Sequence, residues 1–108
     1  MKIINKNNKL IIQKKDQYIF ISIDEILFIE KNNNYTYIHT HSRTIRIQIS
    51  LIVIYKMLND KFIRSHRSFI INKEHIVELK LLNNCCYEVI YNQNKKALMN
   101  KIKVQHLV

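Results

Sequence analysis

The stretch Tyr35-Thr-Tyr-Ile-His-Thr-His-Ser-Arg-Thr-Ile-Arg-Ile-Gln-Ile-Ser50 carries the clearest periodicity in the chain, and its period is two. Tyr35, Tyr37, His39 and His41 share one strand face; in the second half Ile45, Ile47 and Ile49 point one way and Thr44, Arg46 and Gln48 the other. Ser42-Arg43 between the halves makes the pair a β-hairpin. Upstream, Tyr18-Ile19-Phe20-Ile21 and Ile26-Leu27-Phe28-Ile29 are short strand-like runs of β-branched and aromatic residues. Ser22 and Glu25, between them, have the spacing of a capping box and predict a single tight helical turn. Downstream, only Ser50–Asp60 reads as a helix, with Ser50 as N-cap and Leu51, Ile54, Tyr55 and Leu58 on one face. Phe62–Ile71 is extended but interrupted by the polar Ser65-His66-Arg67-Ser68. Ile76–Leu82, Cys85–Tyr91 and Lys95–Met99 form a three-strand meander, turned at Asn83-Asn84 and at Asn92-Gln93-Asn94. The expected fold is a single mostly-β domain over residues 1–108 with one good helix.

Composition narrows the function. An apolar content of 47% over 108 residues suffices for a core. No apolar run approaches the roughly 18–20 residues of a membrane span, and the five lysines within residues 1–15 do not suit a secretory leader, so a soluble, cytoplasmic protein is expected. The chain has no glycine, proline or tryptophan, but thirteen asparagines. Asparagine is the next best tolerated residue at positive φ, so the clusters at 5–8, 32–34, 83–84 and 92–94 are the turn candidates. Without glycine there is no phosphate-cradling loop, which argues against a nucleotide-dependent enzyme. Cys85 and Cys86 are adjacent and, on a strand, face opposite sides; they suit a reducing compartment better than a disulfide or a shared metal. His39 and His41 have no nearby third ligand, so no metal and no cofactor is expected.

Charge is the second signal. Eighteen Lys and Arg against eight Asp and Glu give a formal charge of +10. The acids fall at 16, 24, 25, 30, 60, 74, 78 and 88, which leaves windows 31–59, 61–73 and 89–108 free of carboxylate. Twelve of the eighteen basic residues lie in those windows. A merely solvated surface intersperses the two signs, so this segregation favours a surface that meets a polyanion.

Within the second window, Phe62-Ile-Arg-Ser-His-Arg-Ser-Phe-Ile-Ile-Asn72 sets two guanidinium forks, an imidazole and two hydroxyls between apolar anchors. Arginine suits bidentate contact with guanine or phosphate, and serine suits phosphate; His66 fits equally a buried histidine bonded to backbone. This segment, preceded by a short amphipathic helix and followed by His75-Ile76, resembles the signature of the LytTR DNA-binding domain family, the output domains of many bacterial response regulators. Ile26–Glu30 followed by Asn33-Asn34-Tyr35-Thr36-Tyr37-Ile38-His39 resembles the family's other hallmark, and the likeness spans about residues 9–104.

The resemblance implies a fold of small stacked antiparallel sheets with one or two short helices. It also implies loops that enter successive major grooves of promoter DNA, commonly at paired direct repeats, with a homodimer forming on the DNA in some arrangements. Carried over by position, base contacts fall to Asn34, Thr36, Arg67 and Lys101, and phosphate contacts to Tyr35, Arg43, Arg46, Ser68, Lys96 and Lys103. Many relatives have Ser-Arg where this chain has Asn100-Lys101; lysine lacks the rigid fork and favours phosphate. Independently of the family, Asn32-Asn33-Asn34 presents amides able to pair with adenine. Three other readings stay open: single-stranded RNA stacked on Tyr35 and Tyr37, a protein-interaction β module built on the Ile-rich strands, and a small nuclease using His66 with Glu74. The last lacks paired carboxylates at two-metal spacing, and no enzyme is expected.

Overall fold

In the computed structural model, which describes residues 1–108, the hairpin read from Tyr35–Ser50 forms one side of a five-stranded antiparallel sheet. Its strands, in spatial order, are β6 (Thr44–Ile47), β5 (Tyr35–Thr40), β4 (Ile26–Asn32), β8 (Phe69–Asn72) and β7 (Phe62–His66). An N-terminal sheet holds β1 (Lys2–Lys6), β2 (Lys9–Lys14) and β3 (Gln17–Ser22). A C-terminal sheet holds β9 (Glu78–Leu81), β10 (Cys86–Ile90) and β11 (Lys96–Asn100). The mostly-β expectation holds, with three small antiparallel sheets stacked around two cores.

The five-stranded sheet is the middle layer. On one face Ile26, Ile29, Ile38, Ile45, Ile47 and Ile70 pack against Ile3, Leu10, Ile12 and Ile21 of the N-terminal sheet and against the helix. On the other, Leu27, Phe28 and Ile71 pack against Val89, Tyr91, Ala97 and Met99 of the C-terminal sheet. A strand covered on both faces reads as a continuous apolar run, which is why Ile26–Ile29 shows no alternation. A register shift between Ile26 and Phe28 resets the parity, so that Ile26 and Ile29 share one core while Leu27 and Phe28 serve the other. Burying a side chain such as Ile29 or Ile70 completely contributes about 1.5–3 kcal/mol, and this sheet does so repeatedly.

Three expectations need correction. The helix α1 is only Leu51–Tyr55, not Ser50–Asp60. Ser50 does cap it, its side chain accepting from Val53 N at 3.3 Å, but beyond Tyr55 the bonds tighten to Met57 N→Ile54 O and Leu58 N→Tyr55 O. Leu51 and Ile54 are buried and Leu58 packs beside them, whereas Tyr55 is exposed. Second, Phe62–Ile71 is a hairpin, turned at Arg67-Ser68, with a register shift between Arg64 and His66. Third, residues 2–14, which carried no strand expectation, form β1 and β2; their pattern of lysines and short apolar pairs places Ile3, Leu10 and Ile12 inward.

The asparagine clusters supply turns as expected. Asn7, Asn8, Asn33 and Asn94 have φ between 53° and 60°, joined by Lys15 and Gln93. Asn83 works differently: its side-chain oxygen accepts from Cys85 N and Cys86 N, at 2.8 and 2.9 Å, with φ in the ordinary range. The expected helical turn after Ser22 is a 3-10 turn at Ile23–Glu25, although the Ser22 side chain makes no capping bond. Cys85 and Cys86 are free thiols.

A candidate nucleic-acid interface at the acid-free end

The registers sort every turn of the middle sheet to one of two ends. Glu30 pairs with Phe69 and Lys31 N donates to Ser68 O at 2.8 Å, so the β4–β5 turn at Asn33-Asn34 lies beside the β7–β8 turn at Arg67-Ser68. The C-terminal sheet joins them there. Ser65 Oγ donates to Leu98 O at 2.7 Å, Lys103 Nζ donates to Arg64 O at 2.6 Å, and Lys101 N donates to Cys85 O at 2.7 Å. Three turns from three parts of the chain therefore meet at one end: Asn33-Asn34, Arg67-Ser68 and Asn100-Lys101. Asn34, Arg67 and Lys101 are all exposed.

The opposite end holds the carboxylates. Asp24 and Glu25 precede β4, Asp60 precedes β7, Glu74 follows β8 and Glu78 opens β9. Lys61 meets Asp24 at 3.4 Å and Glu74 at 3.8 Å there. The three remaining acids lie elsewhere: Glu30 is hydrogen-bonded to His39, Glu88 lies 3.9 Å from Lys96, and Asp16 is exposed in the β2–β3 turn beside Lys15. Parts of the acid-free windows thus reach the end opposite the clustered carboxylates, because an antiparallel sheet sends alternate turns to opposite sides. Arg43, Lys61, Lys73, Lys95 and Lys96 of the same windows stay at the carboxylate end.

Two hollows flank the Asn34 turn. One, of about 250 Å³, is lined by Lys31, Asn33, Asn34, Gln48 and Ser50 among others. The second, of about 350 Å³, has Lys14, Lys15, Tyr35, Arg46 and Gln48 in its walls. Arg46 sits 4.5 Å above the ring of Tyr35, which fixes its guanidinium on that surface. Lys14, Lys15, Lys31 and Gln48 were not singled out in the sequence. The available signal was the Lys14-Lys15 pair, whose place beside Tyr35 depends on the unanticipated N-terminal sheet.

The structure separates the expected contact residues. Asn34, Tyr35, Arg46, Arg67, Ser68 and Lys101 lie at or beside the acid-free end. Thr36 lies in the wall of the smaller hollow but is buried, and its hydroxyl donates to Ile49 O at 2.7 Å. It alternates with Tyr35 and Tyr37, and so faces the same core as Ile38. Arg43 sits at the other end of β5, where its guanidinium donates to Phe20 O at 2.6 Å. Lys96 opens β11 at that same far end, beside Lys95, whose ammonium donates to Thr40 O at 2.7 Å. Lys103 is turned inward onto Arg64 O.

His66 and His39 are both engaged within the fold. His66 Nδ1 accepts from Ser68 N at 3.1 Å and its ring meets Phe69 edge-on; burial, and then the neighbouring Arg67 charge, hold its pKa below the ordinary value. His39 stacks on Phe28 at 4.4 Å, with Nε2 2.8 Å from Glu30 Oε1 and Nδ1 3.1 Å from Thr44 Oγ1. The neutral tautomer that donates to Glu30 and accepts from Thr44 satisfies both bonds. No group of three metal-ligating side chains forms, and no helix is long and apolar enough to cross a membrane.

The LytTr DNA-binding domain family model matches residues 16–108. The chain belongs to that family. Curated relatives include the sensory transduction protein LytT of Bacillus subtilis, 26% identical over 93% of this chain and 42% of that protein. The sensory transduction protein LytR of Staphylococcus haemolyticus is 34% identical over 83% of this chain and 36% of its own length. The transcriptional regulatory protein NatR of B. subtilis is 28% identical over 93% and 44%. The chain spans less than half the length of these relatives. A solved LytTr DNA-binding domain from Bacillus cereus superposes with a TM-score of 0.76 at 20% identity, covering 94% of each chain, and so shares the fold. A LytTr domain binds DNA in transcription regulation, which accords with the charge separation described above.

Proposed function

We propose that this LytTr domain reads duplex DNA by sequence, with the turns at Asn34, Arg67 and Lys101 inserted into successive major grooves of promoter DNA. The observation that carries this reading is the placement of those three turns at the end of the molecule opposite Asp24, Glu25, Asp60, Glu74 and Glu78. Arg67 is the strongest base reader: an exposed guanidinium on a tight turn offers the bidentate fork that guanine O6 and N7 accept. Asn34 offers an amide suited to adenine, and Lys101 a point charge. Tyr35, Arg46 and Ser68, together with Lys15 and Lys31, supply phosphate contacts that set the register without reading letters, while Lys14 donates to Arg46 O at 2.8 Å. The target consists of paired direct repeats, each bound by one copy of the domain.

Single-stranded RNA is less well served. The face of Tyr35 that a base would stack on is already covered by Arg46, and Tyr37 is half-buried within the sheet.

Selection of bound duplexes from a random pool tests the proposal. Enrichment of a spaced direct repeat is the expected outcome; recovery of unrelated duplexes, or of single-stranded RNA in a parallel pool, rejects it. On the selected site, Arg67→Ala is expected to cost about 1–3 kcal/mol while changing affinity for random duplex little.

A further inference from the structure

Resting on that reading, we infer that Arg64 and Lys103 are positioning residues that lock the Arg67 turn and the C-terminal Lys101 turn into a single reading unit. Lys103 is among the phosphate contacts expected from sequence, and Arg64 is likewise a cation in an acid-free window. Both are instead turned onto backbone. Arg64 Nη2 donates to the carbonyl of Arg67 at 2.8 Å, closing the turn that carries the guanine-reading side chain. Lys103 Nζ donates to the carbonyl of Arg64 at 2.6 Å from the 3-10 turn Lys101–His106, which begins at Lys101. A third strut, Ser65 Oγ to Leu98 O, ties β7 to β11 at the residue next to Arg64.

The arrangement is a relay: Lys103 holds the backbone at 64, and the side chain at 64 holds the backbone at 67. Arg64 is half-buried, and its Nε is buried with no acceptor. Its Nη2 is engaged by the Arg67 carbonyl, so a phosphate would have to displace that bond to take it. The register shift between Arg64 and His66 adds to the need for a brace, because it interrupts the β7–β8 ladder just before the turn. What the two cations secure is therefore the aim of Arg67 relative to Lys101, and with it discrimination among bases.

The test compares salt dependence with specificity. Arg64→Met and Lys103→Met are titrated with the selected duplex, and with one altered at the base pair read by Arg67, over a range of salt. Positioning roles lower the ratio of the two affinities about tenfold, a fraction of what a bidentate base contact supplies, and leave the salt slope as in the unmodified protein. The double variant then loses no more than the worse single one, and Lys103→Arg, which keeps a donor, restores the ratio. An unchanged ratio with a slope lower by about one would make the residue a phosphate contact and overturn the inference. If Arg64→Met does not fold, Lys103→Met on the surface turn carries the same comparison. Absence of any cognate site would sink the DNA reading itself. Hydrogen exchange in the free protein would still decide the brace: faster exchange of the Ser68 and Lys31 amides in Lys103→Met supports it, and unchanged exchange overturns it.

Discussion

At single positions, what separates a reader from a brace is where the polar atom is committed. Thr36 lies two residues from Asn34, and both are small polar residues in the same segment. Yet Asn34 is exposed on the turn, while the Thr36 hydroxyl is bonded to Ile49 O in the core. Thr36→Val is therefore expected to lower stability by about 1 kcal/mol, seen in a denaturant midpoint, with base discrimination intact. A specific loss of cognate binding at unchanged stability would return Thr36 to the reading set. Its parity with Ile38 is present in the sequence, but the family resemblance set Thr36 among the base contacts instead. The fate of Lys103 was not visible, because the carbonyl it binds belongs to a residue 39 positions away.

Among the elements, the legible ones were those whose signal is local. The alternating β5–β6 hairpin, the Ser50 cap and three of the four asparagine turns follow from adjacent residues. The shortening of α1 and the two register shifts do not, since packing against two other sheets decides them. β1 and β2 escaped notice because lysines occupy their outward positions and leave only short apolar pairs. The turns that were legible also bear strain, since a glycine-free chain places side chains at positive φ. Asn33, at φ 58°, is the one within the proposed interface. Asn33→Ala should destabilise by about 1–2 kcal/mol in thermal melts, whereas Asn33→Gly stays near neutral. Equal effects of the two would show that the turn relaxes. His39 makes the middle sheet sensitive to acid. Burial on Phe28 outweighs the opposing pull of Glu30 and keeps the imidazole neutral in the fold. The unfolded chain takes up the proton first, so stability is complete above about pH 6.5 and falls as the pH drops below it. The melting temperature of His39→Gln should depend less on pH across that window; an equal dependence would assign the acid lability to other groups.

Across the whole molecule, the recognisable sequence feature was segregation of acids along the chain, and the fold turns it into segregation in space. This happens because five of the eight acids sit at strand starts or in the loops that the antiparallel registers collect at one end. The consequence for binding is that position, not charge alone, determines which cations meet phosphate. Arg46→Ala should reduce the slope of log affinity against log salt by about one, while Lys96→Ala, at the far end, leaves it unchanged. A reduced slope for Lys96→Ala would place the duplex along the sheet and not across its end.

Five of the eight carboxylates gathered on one pole, with Arg67, Lys31 and Lys101 exposed on the other, also give the domain a permanent electric dipole moment. In the field of a polyanion such a body experiences a torque before it makes any contact, and turns its cationic pole forward. Encounters would then start nearly aligned, so that diffusion along the double helix begins with the recognition turns already facing the grooves. Reversing the charge of Asp24 or Glu74, remote from every contact, would weaken that alignment and slow association while dissociation stays the same.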